Sequence, residues 1–145
     1  MTAKEYLSQI KVLDIKIKHK QEELEELRTK AISTTQVLSQ DRVQTSVTGD
    51  KMARIVEACL ELESEIAKMN IYLLQQREKI INQIHQLQDA RYVELLYLRY
   101  VCYKRLEDIV CIMVKRNGEP YSYEHILALH GEALQNFSKI LKNPM

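Results

Sequence analysis

The 145-residue chain has few residues that bend or break a helix: three glycines and two prolines. Turn-rich β-folds need such residues at their many reversals. Their scarcity, beside 28% charged residues, points to long helices. A glycine-rich phosphate loop is also missing, which argues against an α/β nucleotide-binding fold. Charge of one sign is missing too. The 21 Lys and Arg against 20 Asp and Glu leave a formal net charge of +1. That balance speaks against a polybasic arm, an acidic tail or a highly charged disordered chain. Long hydrophobic runs are absent. The longest unbroken apolar run, 109–114, falls far short of the ~20 residues a membrane span needs. The opening MTAKEYLSQI has no apolar core of a signal peptide, so a secretory leader is not expected. Cys59, Cys102 and Cys111 show no C-x-x-C spacing. An odd count without a leader fits reduced thiols in a cytoplasm, and the three are read as small buried hydrophobes.

Catalytic patterns are scarce as well. No short motif joins a nucleophile to a positioned base. Glu107 and Asp108 are adjacent, so a helix points them to different faces. His125 and His130 lie five apart, or about 140° around a helix, too far to share a metal from one face. His19 sits among lysines and His85 among Gln and Asn. All four histidines are read as surface or capping residues, and no zinc spacing is present. Neither an enzyme nor a cofactor is expected.

Periodicity supplies the positive signal. Thr2 and Glu5 fit a capping box that opens a first helix over 3–31. Its apolar positions step by three and four: Ala3, Tyr6, Ile10, Leu13, Ile17, Leu24, Leu27, Ala31, with Lys20 in the missing slot. The basic block Lys16, Lys18, Lys20 and the acidic block Glu22, Glu23, Glu25, Glu26 read as solvated faces. Residues 32–50 crowd Ser, Thr and Gln and read as a long polar loop. Val37, Leu38, Val43 and Val47 could dock part of it on a helix. Asp50 would cap a second helix over 51–87. Its seam runs Met52, Ile55, Cys59, Leu62, Ile66, Met69, Leu73, Gln76, Ile80, Ile84, Leu87. Two seams of similar length predict a long antiparallel helical hairpin, coiled-coil-like, over 1–88. Apolar residues off the seams (Val12, Ile15, Val56, Leu60, Leu74, Ile81) predict self-association as a homodimer or higher homo-oligomer.

The character changes at Asp89. Six of the eight tyrosines lie between 92 and 123. Asp89 would cap a helix over 90–102, with Val93, Leu96, Tyr97 and Tyr100 on one face. A second helix over 105–114 would turn Leu106, Ile109, Val110 and Met113 inward. Asn117-Gly118 and Pro120 mark a turn. Ser122 would cap a third helix over 122–141 with the stripe Ile126, Leu129, Ala133, Phe137, Ile140, Leu141. The fold expected is all-α: a hairpin over 1–88 followed by a C-terminal three-helix module over 89–145, whose pattern fits a helix-turn-helix and equally an ordinary three-helix bundle.

The strings LLYLRY (95–100), RLEDIVCIM (105–113) and YSYEHILALHGEALQNF (121–137) resemble region four of bacterial sigma-70 factors. Arg99, Leu106, Asp108 in that family's Glu slot, Ile109, Ser122, Ile126, Ala133 and Leu134 fall on its pattern. The whole chain also resembles small phage and prophage proteins that join a helical N-terminal region to a sigma-like end. SQDRVQTS (39–46) and LHGEAL (129–134) are typical of them, and related regulators of the RinA and ArpU type control late phage transcription. The resemblance implies a regulator in the cytoplasm of a bacterial host, with double-stranded DNA or RNA polymerase as partner and no membrane.

Sigma-like recognition helices expose Arg, Gln or Lys in their first turns. Here the outward positions are Glu124, Leu127, Ala128, Gly131, Gln135 and Ser138, without a cation. Positive charge clusters instead at Lys104-Arg105 and Lys115-Arg116. Those four would bind phosphates, with Ser122, Tyr123 and His125 at the groove. Outward Leu127 and Ala128 favour an alternative: a module that keeps the helix-turn-helix fold, has lost base readout, and binds RNA polymerase or another host protein.

Overall fold

A computed structural model describes residues 1–40 and 45–143, with side chains described for 1–35 and 49–143. The protein is all-helical. Helix α1 spans Ala3–Gln40 and α2 spans Thr45–Ile84. Helix α3 (Ala90–Leu96) runs on into a π-helical turn, Tyr97–Val101. Helix α4 (Leu106–Ile112) and α5 (Tyr123–Lys142) complete the described elements. Among the described residues there is no strand; one isolated antiparallel bridge joins Val114 and Pro120.

The expected loop over 32–50 is replaced by helix on both sides. Helix α1 continues through Gln40 and α2 begins at Thr45, so Asp50 lies inside α2 and does not cap it. Residues 41–44, and with them part of the SQDRVQTS string, lie outside the described residues, as do the side chains of Val37, Leu38, Val43 and Val47. Mid-helix Ser and Thr cost only tenths of a kcal/mol each, so a polar composition alone does not end a helix. The Thr35 hydroxyl donates to the Ala31 carbonyl at 2.9 Å, and Thr34 is buried, continuing the α1 seam by one more step.

The chain divides into two compact units at places other than the boundary expected near 88. One comprises Leu13–Tyr72. In it Ile17 and Leu24 of α1 and Ile55, Leu62 and Ile66 of α2 are buried. Arg28 meets Glu63 at 2.8 Å, Lys20 meets Glu65 at 3.4 Å, and the Thr35 hydroxyl lies 3.9 Å from the Met52 sulfur. As α1 partners rise from 20 to 35, their α2 partners fall from 65 to 52, so here the segments run in opposite directions. Lys20 stands half-buried in its seam slot, with its ammonium 3.4 Å from Glu65 and 4.0 Å from Glu23.

The other unit comprises Met1–Val12 and Leu73–Met145. The capping box forms as expected: the Glu5 carboxylate accepts from the Thr2 amide at 2.9 Å, and the Thr2 hydroxyl accepts from the Glu5 amide at 3.2 Å. Two apolar clusters hold the unit. The larger joins Ala3, Leu7 and Ile10 to Ile80 and Ile84, to Leu96, Tyr100 and Val101, and to Ala133 and Phe137. The smaller joins Leu95, Ile109, Met113, Tyr121, Ile126 and Leu129. Leu7 stands fully buried where the seam had Tyr6; Tyr6 is half-buried and donates its hydroxyl to Gln83 at 2.7 Å. Leu95 was likewise outside the expected face of α3. It is buried because α3 packs on two sides, with Leu96 in one cluster and Leu95 in the other.

Candidate nucleic-acid interface

The C-terminal helices begin on side-chain caps. The Asp89 carboxylate accepts from the Arg91 amide at 2.9 Å and the Ser122 hydroxyl accepts from the His125 amide at 3.1 Å. Each satisfies an orphan donor of the first helical turn. The α5 stripe is as expected, with Ile126, Leu129, Ala133 and Phe137 buried.

Between the π-helical turn and α4 the backbone reverses at Tyr103, whose φ of 60° lies in the left-handed region. A non-glycine residue there costs roughly 1–2 kcal/mol. Just beyond it, the Lys104 carbonyl accepts from the Arg99 guanidinium at 3.0 Å. Between α4 and α5 the chain makes a tight reversal. The Lys115 amide donates to the Glu119 carbonyl and the Gly118 amide to the Lys115 carbonyl, both at 2.9 Å. Gly118 takes a φ of 84°, which an L side chain adopts poorly. The Asn117 side chain accepts from the Glu119 amide at 3.0 Å. This reversal lifts Lys115 and Arg116 out beside the start of α5.

A polar cleft of about 770 Å³ results. Its charged and aromatic walls are Asp89, Arg91 and Glu94 of α3 and its cap, Lys115 and Arg116 of the reversal, and Tyr121 and His125 at the start of α5, with Gln88, Ala90, Met113 and Val114 between them. The Lys115 ammonium lies 5.8 Å from the centre of the Tyr121 ring, and His125 meets that ring edge-on at 4.9 Å. Arg91 grips the Asp89 carboxylate through two nitrogens, at 3.1 and 2.8 Å, which holds that carboxyl below its ordinary pKa. Arg116 is exposed and makes no ion pair among the described residues.

Of the residues singled out in the sequence, Lys115, Arg116 and His125 thus share one cleft. Ser122 is committed to its cap, and Tyr123 stands 42% exposed on the first turn of α5. Lys104 and Arg105 do not join them. They precede α4, while Lys115 and Arg116 follow it, and its seven residues span about 10 Å. Arg105 is also paired with Asp108 at 3.2 Å and holds that carboxyl below its ordinary pKa. The four cations thus form two pairs, at opposite ends of α4. Leu127 is 42% exposed and Ala128 is exposed, both on the outward side of α5.

Arg91 was missed as a cleft residue. Its signal was the spacing Asp89-x-Arg91 at a helix start, where the cap and the cation share one carboxylate. His130 was misread as a surface or capping residue. It is half-buried, and its Nε2 lies 2.7 Å from the Tyr100 hydroxyl with the rings stacked at 5.7 Å. Burial first, and then the charges of Arg99 and Lys4, lower its pKa. The cysteines were misread too: Cys59 is half-buried, while Cys102 and Cys111 are exposed.

Among the described residues no group of three or more His, Cys, Asp or Glu is placed to hold a metal ion. No described helix is long and apolar enough to cross a membrane. Compared with protein-family models, curated proteins and solved structures, the chain matches none.

Proposed function

We propose that this protein is a phage-type transcription regulator, in which an antiparallel hairpin dimerises the chain and a sigma-like helix-turn-helix meets double-stranded DNA. The observation that carries this reading is the cleft. Arg91, Lys115 and Arg116 stand with His125 against the first turn of α5, the end that a helix-turn-helix presents to the major groove. Lys115 and Arg116 supply backbone phosphate contacts, and Tyr123 and His125 lie where base edges would come within reach. Lys104 and Arg105, at the far end of α4, make a second and weaker phosphate contact. The outer face of α5 offers no Arg or Lys through its first four turns. Affinity therefore rests on phosphates and falls steeply with salt.

A second reading is favoured by the exposure of Leu127 and Ala128, where a base-reading helix carries polar side chains. In it α5 docks on RNA polymerase or another host protein. Pull-down from a bacterial host extract, with and without nuclease, separates the two. Nuclease-sensitive recovery of DNA supports the first. Nuclease-resistant, salt-tolerant recovery of polymerase or another protein supports the second.

A further inference from the structure

Within the unit Leu13–Tyr72, α2 carries a second apolar stripe besides the one packed against α1. At about 100° per residue, Val56, Leu60, Ser64, Ala67 and Ile71 fall within an arc of about 80°. Val56, Leu60 and Ile71 are 43%, 61% and 58% exposed. Three large apolar side chains this open form a patch of a few hundred Å² with the small residues between them, the size at which soluble chains use a patch for contact.

We infer that this stripe pairs with the same stripe of a second copy, antiparallel about a two-fold axis between Ser64 and Ala67. This deepens the dimer of the proposed function by naming its surface and register. The stripe is self-complementary in that register. Leu60 meets the second copy's Ile71, and Ser64 meets its Ala67, so the helices cross at their smallest side chains. A shallow depression of about 490 Å³, lined by Leu60, Glu61, Ser64, Glu65 and Lys68, flanks that crossing. Charge agrees with the register. Glu65 is already paired with Lys20, but Glu61 and Lys68 have no ion-pair partner among the described residues. Seven residues apart, they stand about 10 Å from each other along one helix and cannot pair within it. In the antiparallel register each Glu61 faces the other copy's Lys68, giving two pairs at the rim. An isologous contact repeats every favourable pair twice.

Sedimentation equilibrium of the full chain, with helicity followed by circular dichroism, tests this. The chain of 17.1 kDa should sediment at twice that mass. Leu60→Glu alters an exposed position, so it should keep the helicity and weaken the dimer at least a hundredfold. Glu61→Lys alone should weaken it about tenfold, and adding Lys68→Glu should restore it. A dimer unaffected by Leu60→Glu overturns this surface while leaving the dimer itself intact. A dimer broken by Leu60→Glu but indifferent to the charge exchange overturns the register. A wild-type monomer at tens of micromolar overturns both the inference and the dimeric reading beneath it.

Discussion

Phe137→Ala should destabilise the protein far more than Leu127→Ala, although the two lie ten residues apart on α5. Phe137 is fully buried in the larger cluster, where it joins the start of α1, the end of α2 and the π-helical turn. Its ring lies 6.1 Å from that of Tyr6. Removing a buried phenyl ring costs about 3–5 kcal/mol through lost burial and the cavity left behind. Native stability is only about 5–15 kcal/mol, so this is a large fraction of it. For a chain of this length each kcal/mol moves Tm by roughly 2–4 °C, which gives a fall of about 8–16 °C for a loss of 4 kcal/mol. Leu127 is 42% exposed, and its truncation should cost under about 1 kcal/mol. Urea unfolding followed by circular dichroism reads both, at one protein concentration, since self-association also adds stability. Equal costs for the two variants, or a loss below about 1.5 kcal/mol for Phe137→Ala, would refute the assignment of α5's faces.

Other outcomes follow from the same packing. Ser122→Ala should cost about 1 kcal/mol, because the His125 amide loses its acceptor, and Ser122→Asp should not; thermal melts of both variants check this. Acidification should destabilise the protein through His130. Its folded pKa is lowered, so the unfolded chain binds more protons. That contribution is fully present above the ordinary histidine value of about 6.5 and is lost as pH falls through the lower folded value. Urea midpoints from pH 7.5 down to pH 5 should therefore fall less steeply in His130→Gln. A fragment of residues 89–145 should fail to unfold cooperatively, since it lacks Ala3, Leu7, Ile10, Ile80 and Ile84, which complete the cluster around Phe137. A sharp two-state melt of that fragment would contradict this packing.

Much of the helical pattern was legible. The Thr2–Glu5 box, the Asp89 and Ser122 caps and the α5 stripe are local signals, and each acts within a few residues of its own sequence position. The misreadings have non-local causes. Leu7 and Leu95 are buried because helices distant in sequence arrive on a second side, and three-four spacing along one helix cannot register that. The polar run over 32–50 has the composition of a loop, yet the α1 seam continues into it at Thr34. The cleft was half legible. Lys115, Arg116 and His125 sit near one another in sequence, whereas Arg91 reaches them only through the packing of α3 on α5. The separation of Lys104-Arg105 from Lys115-Arg116 depends on the direction of α4, which spacing alone did not convey.

In the proposed function the cleft beside α5 grips DNA through Lys115 and Arg116. Fluorescence anisotropy of a labelled duplex across a salt series tests it most directly, comparing the wild type with Lys115→Gln/Arg116→Gln. If each cation makes one phosphate contact worth about 0.9 in the log–log slope, losing both should flatten the slope by about 1.8 and weaken binding alike for all sequences. Unchanged affinity and an unchanged slope in the double variant would contradict the claim.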